Sequence, residues 1–209
     1  MTCKICNTRR PRRFCPGVQG DICSLCCGQE REETVSCPLE CEYLQEARSH
    51  EKGKPYNEAE KPNREIRVTD EFLNEHDKFL QFTMITIVDT AIAGDLIDYD
   101  VREALEALIT TYKALGSGLY YESKPASLPA ARLATEVREK IEDFRRRVTE
   151  ATGSTRIRDS DVLGVLVFIQ RVEFRVNNGR KKGRAFIDIM RGQFGHPAEP
   201  TREEPVIQL

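Results

Sequence analysis

Apolar residues recur at helical spacing from about Val68 onward, and the pattern resolves into successive amphipathic segments. Phe72, Leu80, Met84, Val88 and Ile92 mark the first stripe, and Phe79 and Ile87 widen it. The run FTMITIVDTAIAG predicts that this helix is buried on more than one side and ends at Gly94. Asp100, with Glu103 three residues on, has the spacing of a capping box for a second helix. Its stripe is Val101, Leu105, Leu108, Tyr112 and Leu115, followed by a loop, GSGLYYESKP. Ser127 and Pro129 suit the start of a third helix, with Leu133, Val137, Ile141, Phe144 and Val148 on one face and charge on the other. After a break at Thr152–Thr155, Asp159 or Ser160 is expected to cap a fourth helix, DVLGVLVFIQRVEFRV. That segment is apolar almost all round and should sit centrally. Asn177-Asn178-Gly179 reads as a turn, and residues 180–194 as a short fifth helix. No internal repeat and no alternating strand pattern competes. The expectation is a mainly α fold with an antiparallel bundle of four to five helices over 68–194, and a disordered tail over 195–209.

The first 41 residues read differently. Their large apolar residues are only Ile5, Phe14, Val18, Ile22, Leu25, Val35 and Leu39, too few for a core. Domains this small are usually held by a metal or by disulfides. All eight cysteines lie here, at Cys3, Cys6, Cys15, Cys23, Cys26, Cys27, Cys37 and Cys41. Residues 42–49 look like a short closing helix. Residues 50–67, polar and aperiodic with two prolines, read as a linker between a Cys-rich domain at 1–49 and the bundle.

A C-x2-C pair turns back on itself so that both sulfurs reach one metal at about 2.3 Å, and two such pairs make a tetrahedral four-thiolate zinc centre. Eight cysteines therefore suit two structural zinc ions. Each supplies folding free energy on the order of 10 kcal/mol. Disulfides would need an oxidising compartment. The spacings do not match ferredoxin cluster runs, and no strand–helix frame surrounds a redox C-x2-C.

The run resembles the double-zinc cross-brace fingers of the HIT and MYND types. The matching residues are Cys3 and Cys6, then Cys15-Pro16, then Cys23-Ser24-Leu25-Cys26-Cys27, then Cys37 and Cys41. The likeness covers residues 3–41 only. A second cysteine expected just after Cys15-Pro16 is absent, and Cys37 stands where such fingers often have histidine. An interleaved arrangement gives Cys3, Cys6 and Cys23 to one zinc and Cys15, Cys37 and Cys41 to the other. Cys26 and Cys27 complete the two sites in either order. Fingers of these types commonly mediate protein–protein contacts, so the resemblance implies a partner protein.

Charge changes the picture little. The chain is 39% hydrophobic and 32% charged with a net charge of −2, which predicts no global attraction to nucleic acid or an acidic membrane. No stretch has the roughly 18 apolar residues of a membrane span. The start is basic without an apolar h-region, so a cytoplasmic location is expected. Two local basic clusters stand out: Arg9, Arg10, Arg12 and Arg13, and the group Arg171, Arg175, Arg180, Lys181, Lys182 and Arg184. They are candidate anion or nucleic-acid contacts. The competing reading of the first is compensation of thiolate charge. Residues 1–41 carry six Lys or Arg against five Asp or Glu, and two tetrathiolate zincs at −2 each leave −3. The competing reading of the second is a solvated turn.

No H-E-x-x-H, P-loop, G-x-S-x-G or dinucleotide motif occurs. The three histidines are His50 in the linker, His76 on a helix among charged residues, where exposure is expected, and His196 in the tail. Asp89 inside an apolar helix is the one candidate buried acid, and Tyr120-Tyr121 a candidate recognition spot. The function expected first is a non-enzymatic zinc protein whose finger binds another protein. The alternatives are a nucleic-acid-binding regulator using residues 9–13 and 171–184, and an enzyme with a pocket near Asp89.

Overall fold

A computed structural model describes residues 2–51, 57–154 and 157–194. The expectations for the tail 195–209, with His196, and for 52–56 of the linker lie outside these residues. The described chain is mainly helical. A short hairpin, β1 (Arg13–Cys15) and β2 (Gly20–Ile22), precedes α1 (Ser24–Glu30) and α2 (Glu42–His50). A 3-10 turn at Glu58–Glu60 leads to α3 (Asp70–Glu75) and α4 (Asp77–Ala93). Then come α5 (Asp98–Gly116), α6 (Leu128–Thr152), α7 (Asp159–Val176) and α8 (Ala185–Phe194).

The helical body is organised around α7, which packs most extensively on α5 and also meets α4 and α8. Val162, Val165, Leu166, Val167 and Ile169 of α7 are all fully buried, as its all-round apolarity predicts. Gly164 lets Phe72 of α3 close onto the helix: a Cβ there would stand 2.6 Å from the Phe72 ring. His76 stacks on Phe72, with centroids 4.4 Å apart, and lies 3.7 Å from Asp161. It is therefore packed rather than exposed, because its ring covers the apolar seam that the charged neighbours in sequence conceal. Asp89, by contrast, is exposed on α4. The buried acid expected there is absent, since the side chain falls on the solvent side of the stripe made by Met84, Ile87, Val88 and Ala91.

The helix starts differ in detail from the pattern. α6 begins as predicted, with Ser127 Oγ accepting from Ala130 N–H (3.4 Å). It ends at Gly153, whose φ of +71° favours glycine. α5 begins two residues before the expected cap. Asp100 sits three residues inside and accepts from Ile97 N–H (3.2 Å), and Glu103 instead accepts from Ala126 N–H (2.7 Å) and Ser127 N–H (3.2 Å). α7 is likewise started by Asp161, which accepts from Arg158 N–H (2.8 Å). α8 begins at Ala185 rather than at Arg180. Asn177 Oδ1 accepts from Gly179 N–H (2.6 Å) and Asn178 Oδ1 from Arg180 N–H (3.1 Å), so residues 177–184 are held as a turn.

Among the described residues three carboxylates are buried, none of them Asp89. Glu173 accepts a two-pronged contact from Arg102 (2.9 and 3.2 Å) and Asn177 Nδ2 (2.7 Å), tying α5 to α7. Asp98 accepts from Phe186 N–H (2.9 Å) and Ile187 N–H (3.2 Å), so α5 caps α8. The third, Glu32, belongs to the Cys-rich region.

Asp98 makes stability pH-dependent. Burial pushes its carboxyl up to about 7, against the lowering effect of the two N–H donors, and Glu173 and Glu32 push the same way. A raised carboxylate pKa means the folded state binds the proton more tightly than the unfolded chain. Its contribution is therefore full below the unfolded value of 3.8 and is lost as pH rises towards 7. Asp98→Asn should flatten that slope, which is at most about 1.4 kcal/mol per pH unit. Urea unfolding of both proteins at several pH values between 4 and 7 tests this; parallel profiles would contradict it.

Part of the segment expected as a linker, residues 62–66, is bound to the body. Arg171 donates to the carbonyls of Pro62 (3.2 Å), Asn63 (2.7 Å) and Ile66 (2.8 Å), and Asn63 Nδ2 donates to Gln170 Oε1 (2.6 Å). Lys113 pairs with Glu65 at 2.6 Å.

Candidate metal centre

The Cys-rich region starts with a tight knuckle. Asn7 N–H donates to the Cys3 carbonyl (2.8 Å), and Asn7 takes φ +55°, turning Cys6 back towards Cys3. The hairpin follows in the register Arg13↔Ile22, Phe14↔Asp21, Cys15↔Gly20. It returns the chain to Cys23, which is the N-cap of α1. That places Cys26 and Cys27 in the first turn, about 100° apart around the helix axis. Cys26 is turned inward and buried, while Cys27 is half-buried.

The sulfurs of Cys3, Cys6, Cys23 and Cys26 all lie within 4.8 Å of one another. A tetrahedral zinc at about 2.3 Å from each sulfur needs sulfur–sulfur edges of about 3.8 Å. The cluster is compatible with a metal ion held by four protein ligands. Backbone donors already face the sulfurs: Cys23 N–H to Cys3 Sγ (3.2 Å) and Cys26 N–H to Cys23 Sγ (3.5 Å). The electrostatics point the same way. Hydrogen bonds from the Thr8 hydroxyl and the N–H groups of Thr8 and Arg9 bring the Cys6 thiol down to about 5. Burial alone would raise Cys3, but the N–H groups of Cys6, Cys23 and Ile5 lower it overall. Cys26 is pushed up to about 12 by burial and by Cys23, Cys6 and Cys3. Thiolates this crowded repel the last ionisation, and a cation among them removes that penalty.

The doublet is thereby divided: Cys26 joins Cys3, Cys6 and Cys23. Cys15, Cys27, Cys37 and Cys41 remain. Burial pushes the Cys37 thiol up, and Glu32, Cys15 and Cys41 add to that, opposed by the Glu32 backbone N–H. Cys27 Sγ lies 3.8 Å from both Arg13 Nη1 and Arg31 Nη2. All eight cysteines are free thiols. Two metal centres are thus not both displayed: the four-sulfur geometry is present for the first set alone.

The basic residues of the first cluster stand around these sulfurs. Arg9 is exposed beside Cys6 and Cys23, and its guanidinium is raised by them against desolvation. Arg13 lies over the Tyr43 ring at 4.0 Å. Arg10 and Arg12 are exposed. Arg9 and Arg13 thus face thiols, as charge compensation requires.

Part of the second cluster is engaged with the finger. Arg180 Nη1 donates to the Arg31 carbonyl (2.7 Å) and Lys182 Nζ to the Thr34 carbonyl (2.8 Å). Arg184 N–H donates to Glu32 Oε1 (3.0 Å), and its guanidinium pairs with Asp95 (2.7 Å). Lys181 is exposed. Glu32 is fully buried and also binds Arg48 Nη2 (2.6 Å) and Asn178 Nδ2 (2.9 Å). Arg48 in turn pairs with Asp188 of α8. Leu39 inserts into the main core. The sequence pattern did not single out Glu32, Arg48 or Asn178. Glu32 is one acid among several in a polar stretch, and its partners lie up to 152 residues away.

No helix among the described residues is long and apolar enough to cross a membrane. Comparison with family profiles, with curated proteins and with solved structures returns no match.

Proposed function

We propose that this is a non-enzymatic zinc-binding protein in which two structural zinc ions fold an N-terminal interaction finger docked on a helical bundle. The observation that carries the reading is the Cys3, Cys6, Cys23, Cys26 cluster. Four protein sulfurs leave no open coordination position, which is the mark of a structural rather than a catalytic metal. The second zinc is assigned to Cys15, Cys27, Cys37 and Cys41, the set that remains once Cys26 is placed. The eight free thiols fit a reducing compartment, the cytoplasm. One side of the finger holds its own helical body. The finger exposes Phe14 (59%) and Leu25 (46%), with exposed Arg10 and Arg12 shortly before Phe14 in the chain, residues suited to a partner protein with acidic and apolar groups.

Metal analysis of reduced, purified protein tests the reading, with two zinc ions per chain expected. Less than one per chain would overturn it. Cross-linked partner contacts should disappear both with a chelator and in Phe14→Ser/Leu25→Ser. Contacts that persist in both would remove the interaction role of the finger.

A further inference from the structure

Residues 178–184 form an anion cradle, and the anion in it belongs to the finger. The Glu32 carboxylate takes Arg184 N–H at 3.0 Å, Arg48 Nη2 at 2.6 Å and Asn178 Nδ2 at 2.9 Å. Lys182 N–H donates to the Glu32 carbonyl at 2.7 Å. Arg180 and Lys182 Nζ hold the neighbouring carbonyls of Arg31 and Thr34. The cradle immediately precedes α8, ten residues long, whose first-turn N–H groups at Phe186 and Ile187 are taken by Asp98. Two more donors at the junction, Nε of Arg48 and Nε of Arg184, are buried without a partner on side chains only 10% exposed. A cavity of about 850 Å³ opens beside the cradle, lined in part by Arg48, Arg175, Asn178 and Arg180. Backbone N–H, guanidinium, ammonium and amide donors are the groups that take phosphate oxygens in nucleic-acid complexes.

In the folded protein the finger covers this cradle. Its own buried cluster consists of cysteines with Ile22 and Val35. So small an apolar centre leaves folding dependent on the metal. Unfolding of the finger would withdraw Glu32 from the donors of 178–184, whereas the contacts of α2 with α8, Gln45 and Arg48 to Asp188, do not pass through the finger's sulfurs.

We propose that the 178–184 cradle is a binding site for the phosphate backbone of a nucleic acid, closed by the metal-loaded finger and opened when the metal is lost. This rests on the structural-metal reading above. Four cations within five residues, Arg180, Lys181, Lys182 and Arg184, supply local positive charge that the overall charge of −2 conceals. Contacts of this kind position a backbone without reading base sequence.

The test is fluorescence anisotropy with a labelled single-stranded DNA at low salt. Metal-loaded wild type, chelator-stripped wild type and metal-loaded Glu32→Gln are compared, each also with Lys181→Glu/Lys182→Glu. Stripping and Glu32→Gln should each tighten binding by about tenfold or more. The gain should fall with salt at a logarithmic slope of roughly −1.4, for the two side chains released from the finger, Arg180 and Lys182, and the charge reversal should abolish it. Circular dichroism should show the helices retained on stripping. Equal affinity in the loaded, stripped and Glu32→Gln proteins overturns the proposal. So does a gain that survives charge reversal, which would assign binding elsewhere, as to Arg9–Arg13. A chain that holds no zinc refutes the structural-metal reading alone, because Glu32→Gln still tests the cradle.

Discussion

Cys26→Ser should remove the first metal and with it the fold of residues 3–37, while Cys27→Ser should leave that metal in place. The two cysteines are neighbours in sequence and share a helical turn, yet only Cys26 Sγ stands with Cys3, Cys6 and Cys23. Replacing one thiolate by a poor zinc ligand forfeits much of the roughly 10 kcal/mol that a structural zinc contributes. Little apolar core compensates: among the described residues Ile22 and Val35 are the buried non-cysteine apolar residues of the finger's cluster, with Ile5 and Val18 half-buried against it. Hydrogen exchange should show protection lost over β1, β2 and α1 in Cys26→Ser and kept over α5 and α7. Zinc content should drop by at least one ion per chain. On the proposed assignment of a second zinc to Cys15, Cys27, Cys37 and Cys41, Cys27→Ser should lose that ion while the knuckle at Cys3–Cys6 keeps its protection. The opposite pattern would reverse the division of the doublet.

What the sequence disclosed depended on range. The amphipathic stripes placed α4 to α8, because burial at i, i+3 and i+4 is written locally along a helix. The cysteine spacing placed the metal cluster for a similar reason: C-x2-C is a local geometry, and the two pairs closing it recur within 24 residues. The doublet needed only the helical phase set by Cys23 as N-cap, which spacing alone does not contain. Helix starts slipped by a few residues because Asp100 and Asp161 serve from inside the first turn. Asp89 misled because one acid on a long apolar run is compatible with either face. The junction between finger and bundle was illegible. Glu32 and Arg48 are ordinary polar residues in ordinary polar stretches, Asn178 reads only as part of a turn and Arg184 only as part of a basic cluster, and the tertiary fold alone brings them together.

That junction is where a single substitution outside the cysteines should have the largest effect. Glu32→Ala removes a fully buried carboxylate and leaves Asn178 Nδ2 and Arg184 N–H with no acceptor among their present contacts. Arg48 keeps Asp188 but loses the other half of its charge balance, and its Nε already lacks a partner. Breaking a buried ion pair from one side typically costs about 3–5 kcal/mol, because the remaining charge stays desolvated. Part of that cost can be avoided by undocking, which lets water reach Arg48 and the turn. The expected result is therefore a lower denaturation midpoint together with faster amide exchange over 177–184, at unchanged zinc content. Unchanged zinc content separates this effect from a failure of the metal centre. Arg48→Met in the same chain should recover part of the loss, since it removes the stranded cation. If Glu32→Ala left midpoint and exchange at wild-type values, the finger would be held by Leu39 and the Arg180 and Lys182 contacts without the buried carboxylate.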